Sequence, residues 1–157
     1  MYEKLFSKGK INGCVLRNRV ILSPMDDTLG TATGEISQRA IEYYAAKAKG
    51  GTGLIIVGYI AVVGPELGGI AMSGETHLIT LNDRHAMSIL AERVHEYGGK
   101  VFCQLNHPGR KTAPEYNEGH MPVSATAMPS KMVGKTAPCH ELTVDEIHVI
   151  ADKYGAA

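Results

Sequence analysis

Three short apolar runs organise the chain, and the spacing of apolar residues between them changes from continuous to helical. The runs are Val20-Ile21-Leu22-Ser23, stopped by Pro24, then Leu54-Ile55-Ile56-Val57, ending at Gly58, then Val101–Asn106. Continuous apolar runs of this length predict strands covered on both faces. After the first run and its loop, Ser37 caps a predicted helix to Lys49, with Ile41, Tyr44, Ala45 and Ala48 on one face. Gly50-Gly51 ends it. Asn82 or Asp83 opens a second helix, with Ala86, Leu90, Val94 and Tyr97 on its apolar stripe and Gly98-Gly99 as its stop. A third starts at Thr143, which forms a capping box with Glu146, while Leu142 and Ile147 are placed to staple across the cap. Its Ile147, Ile150 and Tyr154 share one side. Near the N-terminus, Asn12-Gly13 between apolar residues predicts a hairpin.

Strand, loop and helix recur in that order, which implies parallel strands under helical cover. The loops after the strands are long, from Met25 to Gly34, Ala61 to Leu81 and Thr112 to Glu141, while those before them are tight. That asymmetry points to a (β/α) barrel with its working face at the strand C-termini. A Rossmann or flavodoxin-like sheet is the rival, but it needs a glycine fingerprint after the first strand. Pro24-Met25-Asp26-Asp27-Thr28 stands there instead.

The third strand carries an anomaly. Alternation puts Val101, Cys103 and Leu105 on one face and Phe102, Gln104 and Asn106 on the other. An amide facing a barrel interior needs hydrogen-bond partners, so Gln104 is either a satisfied core amide or a ligand contact. The strand exits through His107-Pro108-Gly109-Arg110, an ordinary turn or part of a pocket lip.

Composition narrows the function classes. The chain has 157 residues, 44% of them hydrophobic and 20% charged, with a formal net charge of zero. One core is within its reach, and there is no basic excess to favour nucleic acid or an anionic membrane. No apolar run approaches the ~18–20 residues of a bilayer span. The opening residues, Met1 to Phe6, lack a charged-then-apolar leader, so a cytoplasmic protein is expected. Cys14, Cys103 and Cys139 are scattered and the seven His are dispersed, which argues against a disulfide framework or a metal site.

Four segments together resemble one family. Leu16-Arg17-Asn18-Arg19-Val20-Ile21-Leu22-Ser23-Pro24-Met25 is similar to the opening of the old yellow enzyme-like NADH:flavin oxidoreductases. Tyr43-Tyr44, Ala48 and Gly50-Gly51-Thr52-Gly53-Leu54-Ile55-Ile56 resemble a second signature of that family. Val94-His95 with Gly98-Gly99-Lys100, then Gln104-Leu105 with His107 and Gly109-Arg110, complete it. The set is most similar to the 2,4-dienoyl-CoA reductase and enoate reductase branch.

The resemblance implies the N-terminal part of an FMN-binding (β/α)8 TIM barrel: a hairpin and about three βα units, with residues 1–157 as one incomplete domain. It implies FMN at the barrel mouth, NAD(P)H as hydride donor, and transfer from flavin N5 to the activated C=C bond of a small enoyl or enone substrate. Pro24, Met25, Asp26, Gly58 and Gln104 would contact FMN, Gln104 using its amide on the pyrimidine edge. His107 and Arg110 would sit on the substrate pocket lip, or Arg110 would pin the loop. Asp26 departs from the family pattern of a small polar residue. A carboxylate there would oppose reduction unless protonated or paired, for instance with Arg110. Alternatively it faces solvent, and Asp27 or Thr28 takes its place.

By the same resemblance, the proton donor, the substrate-anchoring pair and the FMN phosphate site are expected beyond residue 157. An iron–sulfur cluster would belong only to a longer chain. Three strands cannot close a barrel. The expectation is therefore an inactive isolated piece that joins the missing barrel half or associates with itself. The alternative is a catalytically silent fragment active only in assembly.

Overall fold

The computed structural model describes residues 2–132 and 135–157. A single helical turn, α1 (Glu3–Phe6), leads into the hairpin, in which β1 (Gly9–Ile11) pairs antiparallel with β2 (Cys14–Leu16). Asn12 takes a positive φ of 47°, as an Asn-Gly hairpin requires. The main sheet then forms in chain order from β3 (Ile21–Leu22), β4 (Leu54–Ala61) and β5 (Lys100–Asn106). Both pairings are parallel, with Ile21 opposite Leu54 and Leu54 opposite Lys100.

Between the strands run α2 (Gln38–Lys49) and α3 (Leu81–His95). They cover one face of the sheet. Ala40, Ile41, Tyr44 and Ala48 of α2 and Leu90 and Val94 of α3 enclose Ile55, Val57 and Ile60 of β4. Val101, Cys103 and Leu105 pack against this core, so β5 alternates as its sequence pattern requires.

Ser37 caps α2, its Oγ accepting from Ala40 N at 3.1 Å. The start of α3 differs from expectation. Thr80 is the cap, and Asp83 is the third residue of a capping box rather than the opener. Asp83 Oδ2 accepts from the N–H groups of Thr80 at 2.6 Å and Ile79 at 2.9 Å, and meets His77 Nδ1 at 3.0 Å. Burial alone would raise this carboxyl's pKa, but the Thr80 and Ile79 amides outweigh it and hold it low. Tyr97 lies in the turn beyond α3 rather than on its stripe.

The second strand also runs further than its apolar run suggested, through Gly58 to Ala61. Its register against β5 shifts between Val57 and Ile60: Val57 faces Cys103 and Ile60 faces Leu105. Three steps on β4 thus match two on β5, which is a one-residue bulge. The bulge returns Ile60 to the helical side and turns Tyr59 toward the opposite face.

The stretch from Thr112 to Glu141 holds short strands. β6 (Val123–Ser124) pairs with β9 (His140–Glu141), and β7 (Ser130–Met132) pairs with β8 (Lys135–Ala137). Residues 133 and 134 of that stretch lie outside the described residues. Asn117 anchors it, accepting from Ile70 N at 3.0 Å and donating to Ile70 O at 2.9 Å. The last element is α4 (Val144–Ala156), with the Thr143–Glu146 capping box in place.

The three-stranded sheet does not close. Its second face leaves Ile21 46% and Phe102 38% exposed, and no residue of α4 is buried. No described helix is long and apolar enough to cross a membrane.

Candidate functional site

Much of the motif sequence serves to fix the strand ends. Arg17 donates to the carbonyls of Ala48 at 2.5 Å and Thr52 at 2.9 Å, and also to that of Tyr97, tying the ends of α2 and α3 to the start of β3. Asn18 donates to Gly51 O at 2.7 Å and accepts from Val20 N at 3.1 Å. Gly53 lies so close that a Cβ there would stand 2.4 Å from Asn18 Oδ1. The Asn-Arg and Gly-Gly-Thr-Gly segments therefore belong to one clamp beneath β3 and β4.

At the other end of the sheet, Pro24, Gly58 and Gln104 come together on the uncovered face. A Cβ on Gly58 would fall 2.4 Å from Pro24 Cβ and 2.9 Å from Gln104 Oε1. Glycine is required at this bulge because Pro24 and Gln104 already fill its side. Met25 bridges to Gly58 through the backbone, and its side chain is 66% exposed. Gln104 is exposed, and its amide has no hydrogen-bond partner among the described residues. A satisfied core amide is not what stands there. One donor group and one acceptor remain free beside a proline and an exposed methionine, which suits a flat polar heterocycle.

Beside this surface the sheet ends bring Asp26, Tyr59 and Glu75 near one another, a grouping that the sequence did not reveal. Glu75, 2% exposed, lies in the loop after β4, and its Oε2 accepts from Ala71 N at 2.5 Å. Its Oε1 is buried without a partner, as is Asp26 Oδ2. Burial, first, and the Asp26 charge raise the Glu75 carboxyl to about 7, against the pull of the Ala71 amide. Tyr59 faces both acids. Burial and their charges push its phenol up to about 12. The side-chain amide of Asn106, at the end of β5, also faces Glu75 and favours its charged form. A buried glutamate in a glycine-rich loop has no periodicity to betray it. The one signal was Gly58 inside an apolar run, which marks the bulge that turns Tyr59 inward.

Asp26 and Arg110 are not brought together. Asp26 Oδ1 accepts from Thr28 N at 3.1 Å, while Arg110 is exposed and lies toward Cys139. No ion pair joins them among the described residues. Asp27 is held elsewhere, its Oδ2 accepting from Tyr44 OH at 2.5 Å and its Oδ1 from Leu29 N at 2.9 Å. His107 is half-buried. Its Nδ1 accepts from Gly109 N at 3.2 Å, which leaves Nε2–H to donate to Leu67 O at 3.0 Å. Burial lowers its pKa, so this ring is a neutral tie between the two loops. The Arg110 backbone accepts from Ser130 Oγ at 2.7 Å, but its guanidinium pins nothing among the described residues.

A groove of about 630 Å³ runs between the loops past Thr31, Gly64 and Tyr116. None of Pro24, Met25, Gly58 or Gln104 lines it. Their surface is an open sheet face, as three strands of an unclosed barrel would leave it.

Residues 4–157 match the NADH:flavin oxidoreductase / NADH oxidase family. The chain belongs to that family. An NADH oxidase from Thermoanaerobacter brockii is 40% identical over 156 residues, covering 98% of this chain and 23% of that protein. A cinnamate reductase from Clostridium sporogenes is 31% identical over 163 residues, with the same 98% and 23% coverage. The structure of an old yellow enzyme from a Pichia species superposes with a TM-score of 0.85 at 22% identity, over 96% of this chain and 40% of that one. This chain spans less than half the length of each. The fold is that of the N-terminal part of the old yellow enzyme TIM barrel, and within the NADH:flavin oxidoreductase family the three parallel strands are the first of eight.

Proposed function

We propose that this segment is the FMN-binding floor of an NAD(P)H-dependent, ene-reductase-type oxidoreductase acting on a small enoyl or enone substrate. Bound FMN would accept hydride from NAD(P)H and return it from N5 to an activated C=C bond. The residues fit such a group. Gln104 offers a free donor and acceptor to the pyrimidine edge, Pro24 and the bulge at Gly58 set the surface against which a planar ring packs, and exposed Met25 covers it. Asp26 lies beside that surface with its Oδ2 buried and without a hydrogen-bond partner among the described residues. His107 shapes the rim through its two loop contacts, and Arg110 is the exposed cation there. The observation that carries the reading is the unpartnered Gln104 amide on the uncovered face of this family's sheet. Similarity to a protein named cinnamate reductase supports an unsaturated, carbonyl-conjugated substrate.

The test uses the full natural chain. The expected result is yellow protein that releases FMN on denaturation, is bleached by NADH or NADPH without oxygen, and is reoxidised by cinnamate-like or enone acceptors. Colourless protein free of flavin would contradict it. A second reading, in which these residues act only by joining the rest of a barrel or another copy, is favoured by the free edges of β3 and β5 and the exposed Ile21 and Phe102. It predicts association without flavin.

A further inference from the structure

The segment that opens the flavin surface, Pro24-Met25-Asp26, begins the loop between β3 and α2, and a chain of hydrogen bonds ties this loop to the helical layer. Asp27 Oδ2 accepts from the Tyr44 hydroxyl at 2.5 Å, and its Oδ1 accepts from Leu29 N at 2.9 Å. Leu29 packs against the core, and its carbonyl accepts from Ser37 Oγ, the cap of α2. The loop is thus fastened to α2 at Ser37 and again at Tyr44, about two helical turns further on. On its other side, the Met25 backbone bridges to Gly58 of β4. Asp26 is held between these two anchors.

Tyr44 is 2% exposed and its ring belongs to the core, where a phenol oxygen without a partner would be costly. Half-buried Asp27 supplies that partner. Burial, first, and the Asp27 carboxylate hold the phenol's pKa well above its ordinary value, so the hydroxyl stays a donor. The two adjacent acids therefore part company. Asp27 is drawn to α2, whereas Asp26 has one oxygen on Thr28 N at 3.1 Å and the other buried without a hydrogen-bond partner among the described residues. An Asp-Asp pair does not of itself decide which acid turns to the helices. The hydroxyl on α2 does.

We propose that Tyr44 is a positioning residue for the flavin: its hydroxyl holds Asp27 on the helical side, which fixes Met25 and Asp26 against the uncovered face and keeps a second carboxylate away from the ring. The inference rests on the FMN reading above. A released Asp27 adds its charge to that of Asp26 beside the cofactor and opposes the charge gained on reduction. The test takes the full natural chain loaded with FMN and measures reduction potential and FMN affinity in the wild type, Tyr44→Phe, Asp27→Asn and the double variant. Tyr44→Phe removes the hydroxyl and leaves the ring in the core. It should lower the potential and weaken FMN binding by at least about twofold, the lower end of coupling between residues in contact. In the Asp27→Asn background there is no charge to release, so adding Tyr44→Phe should leave the potential where it is. An unshifted potential in Tyr44→Phe, or an equal fall in both backgrounds, would overturn the proposal. Lost thermal stability with an unshifted potential would make Tyr44 a packing residue only.

A readout without cofactor separates this from the FMN reading. In flavin-stripped, full-length protein, the Leu29 amide is protected from hydrogen exchange by Asp27. Tyr44→Phe should speed its exchange while the amides of β4 and α3 keep their rates. An unchanged Leu29 rate would refute the latch. Faster exchange in protein that takes up no FMN would sink the cofactor reading alone. Should Tyr44→Phe fail to fold, Asp27→Ala carries the test at a half-buried position: it removes the acceptor of both bonds, and FMN binding should weaken. FMN affinity equal to the wild type in Asp27→Ala would overturn the proposal.

Discussion

Replacing Gln104 by Ala separates a ligand contact from a structural amide. The side chain is exposed and has no partner among the described residues, so its removal leaves no cavity and orphans no buried group. Surface changes of that kind shift stability by within about 0.5 kcal/mol. The same amide, set against a pyrimidine edge, would make one donated and one accepted hydrogen bond. At about 0.5–1.5 kcal/mol net each, their loss weakens FMN binding by about 1–3 kcal/mol. That corresponds to about 5- to 150-fold in Kd. The assay pairs thermal melts of flavin-stripped, full-length protein with FMN titration followed by quenching of flavin fluorescence. An unchanged melt with weaker FMN binding is the expected outcome. A lowered melting temperature with unchanged FMN affinity would refute the reasoning, since it would make Gln104 a structural residue.

Further outcomes follow from the packing and the buried charges. Gly58→Ala would place a methyl 2.4 Å from Pro24 Cβ, and overpacking of this kind costs about 1–3 kcal/mol; lower stability and weaker FMN binding should appear together in the paired assay. Leu90→Ala empties a fully buried position between α3 and the sheet, and a loss of about 2–5 kcal/mol is expected in denaturant titration, with flavin contacts untouched. Glu75 and Asp83 pull the pH dependence of stability in opposite directions. The folded Glu75 carboxyl lies above its ordinary 4.5, so its contribution is full below that value and lost as pH rises to about 7. The folded Asp83 carboxyl lies below its ordinary value, so its contribution is present above that value and lost as pH falls through the folded one. Melts of Glu75→Gln and Asp83→Asn across pH 3–8 should each flatten the matching limb of the wild-type curve.

Local chemistry made some elements legible in the sequence. Asn12-Gly13 supplied the turn, Ser37 the cap of α2, and strict alternation in β5 the direction of Gln104. Each of these depends on residues within a few positions of one another. What remained hidden depends on distant partners. The continuation of β4 past Gly58 needs Pro24 and Gln104 to fill the side a Cβ would occupy. The choice of Thr80 over Asn82 or Asp83 as cap needs His77 and the Ile79 amide to draw Asp83 back toward the helix start. Asp26 and Arg110 do not pair among the described residues, and the charge felt by Asp26's neighbourhood is that of Glu75, which the loop after β4 buries near it. No spacing rule relates residues 26, 59, 75 and 106. Only the C-terminal ends of adjacent parallel strands, with the loops that follow them, bring them together.

The central claim is that the uncovered face of the sheet receives an isoalloxazine ring. A crystal structure of the full natural chain grown with FMN tests it most directly. The predicted result is a ring lying over Pro24 and Gly58 with its pyrimidine edge within hydrogen-bond distance of the Gln104 amide. A flavin bound elsewhere, or a Gln104 amide turned to another part of the chain while the ring sits apart from it, would contradict the account.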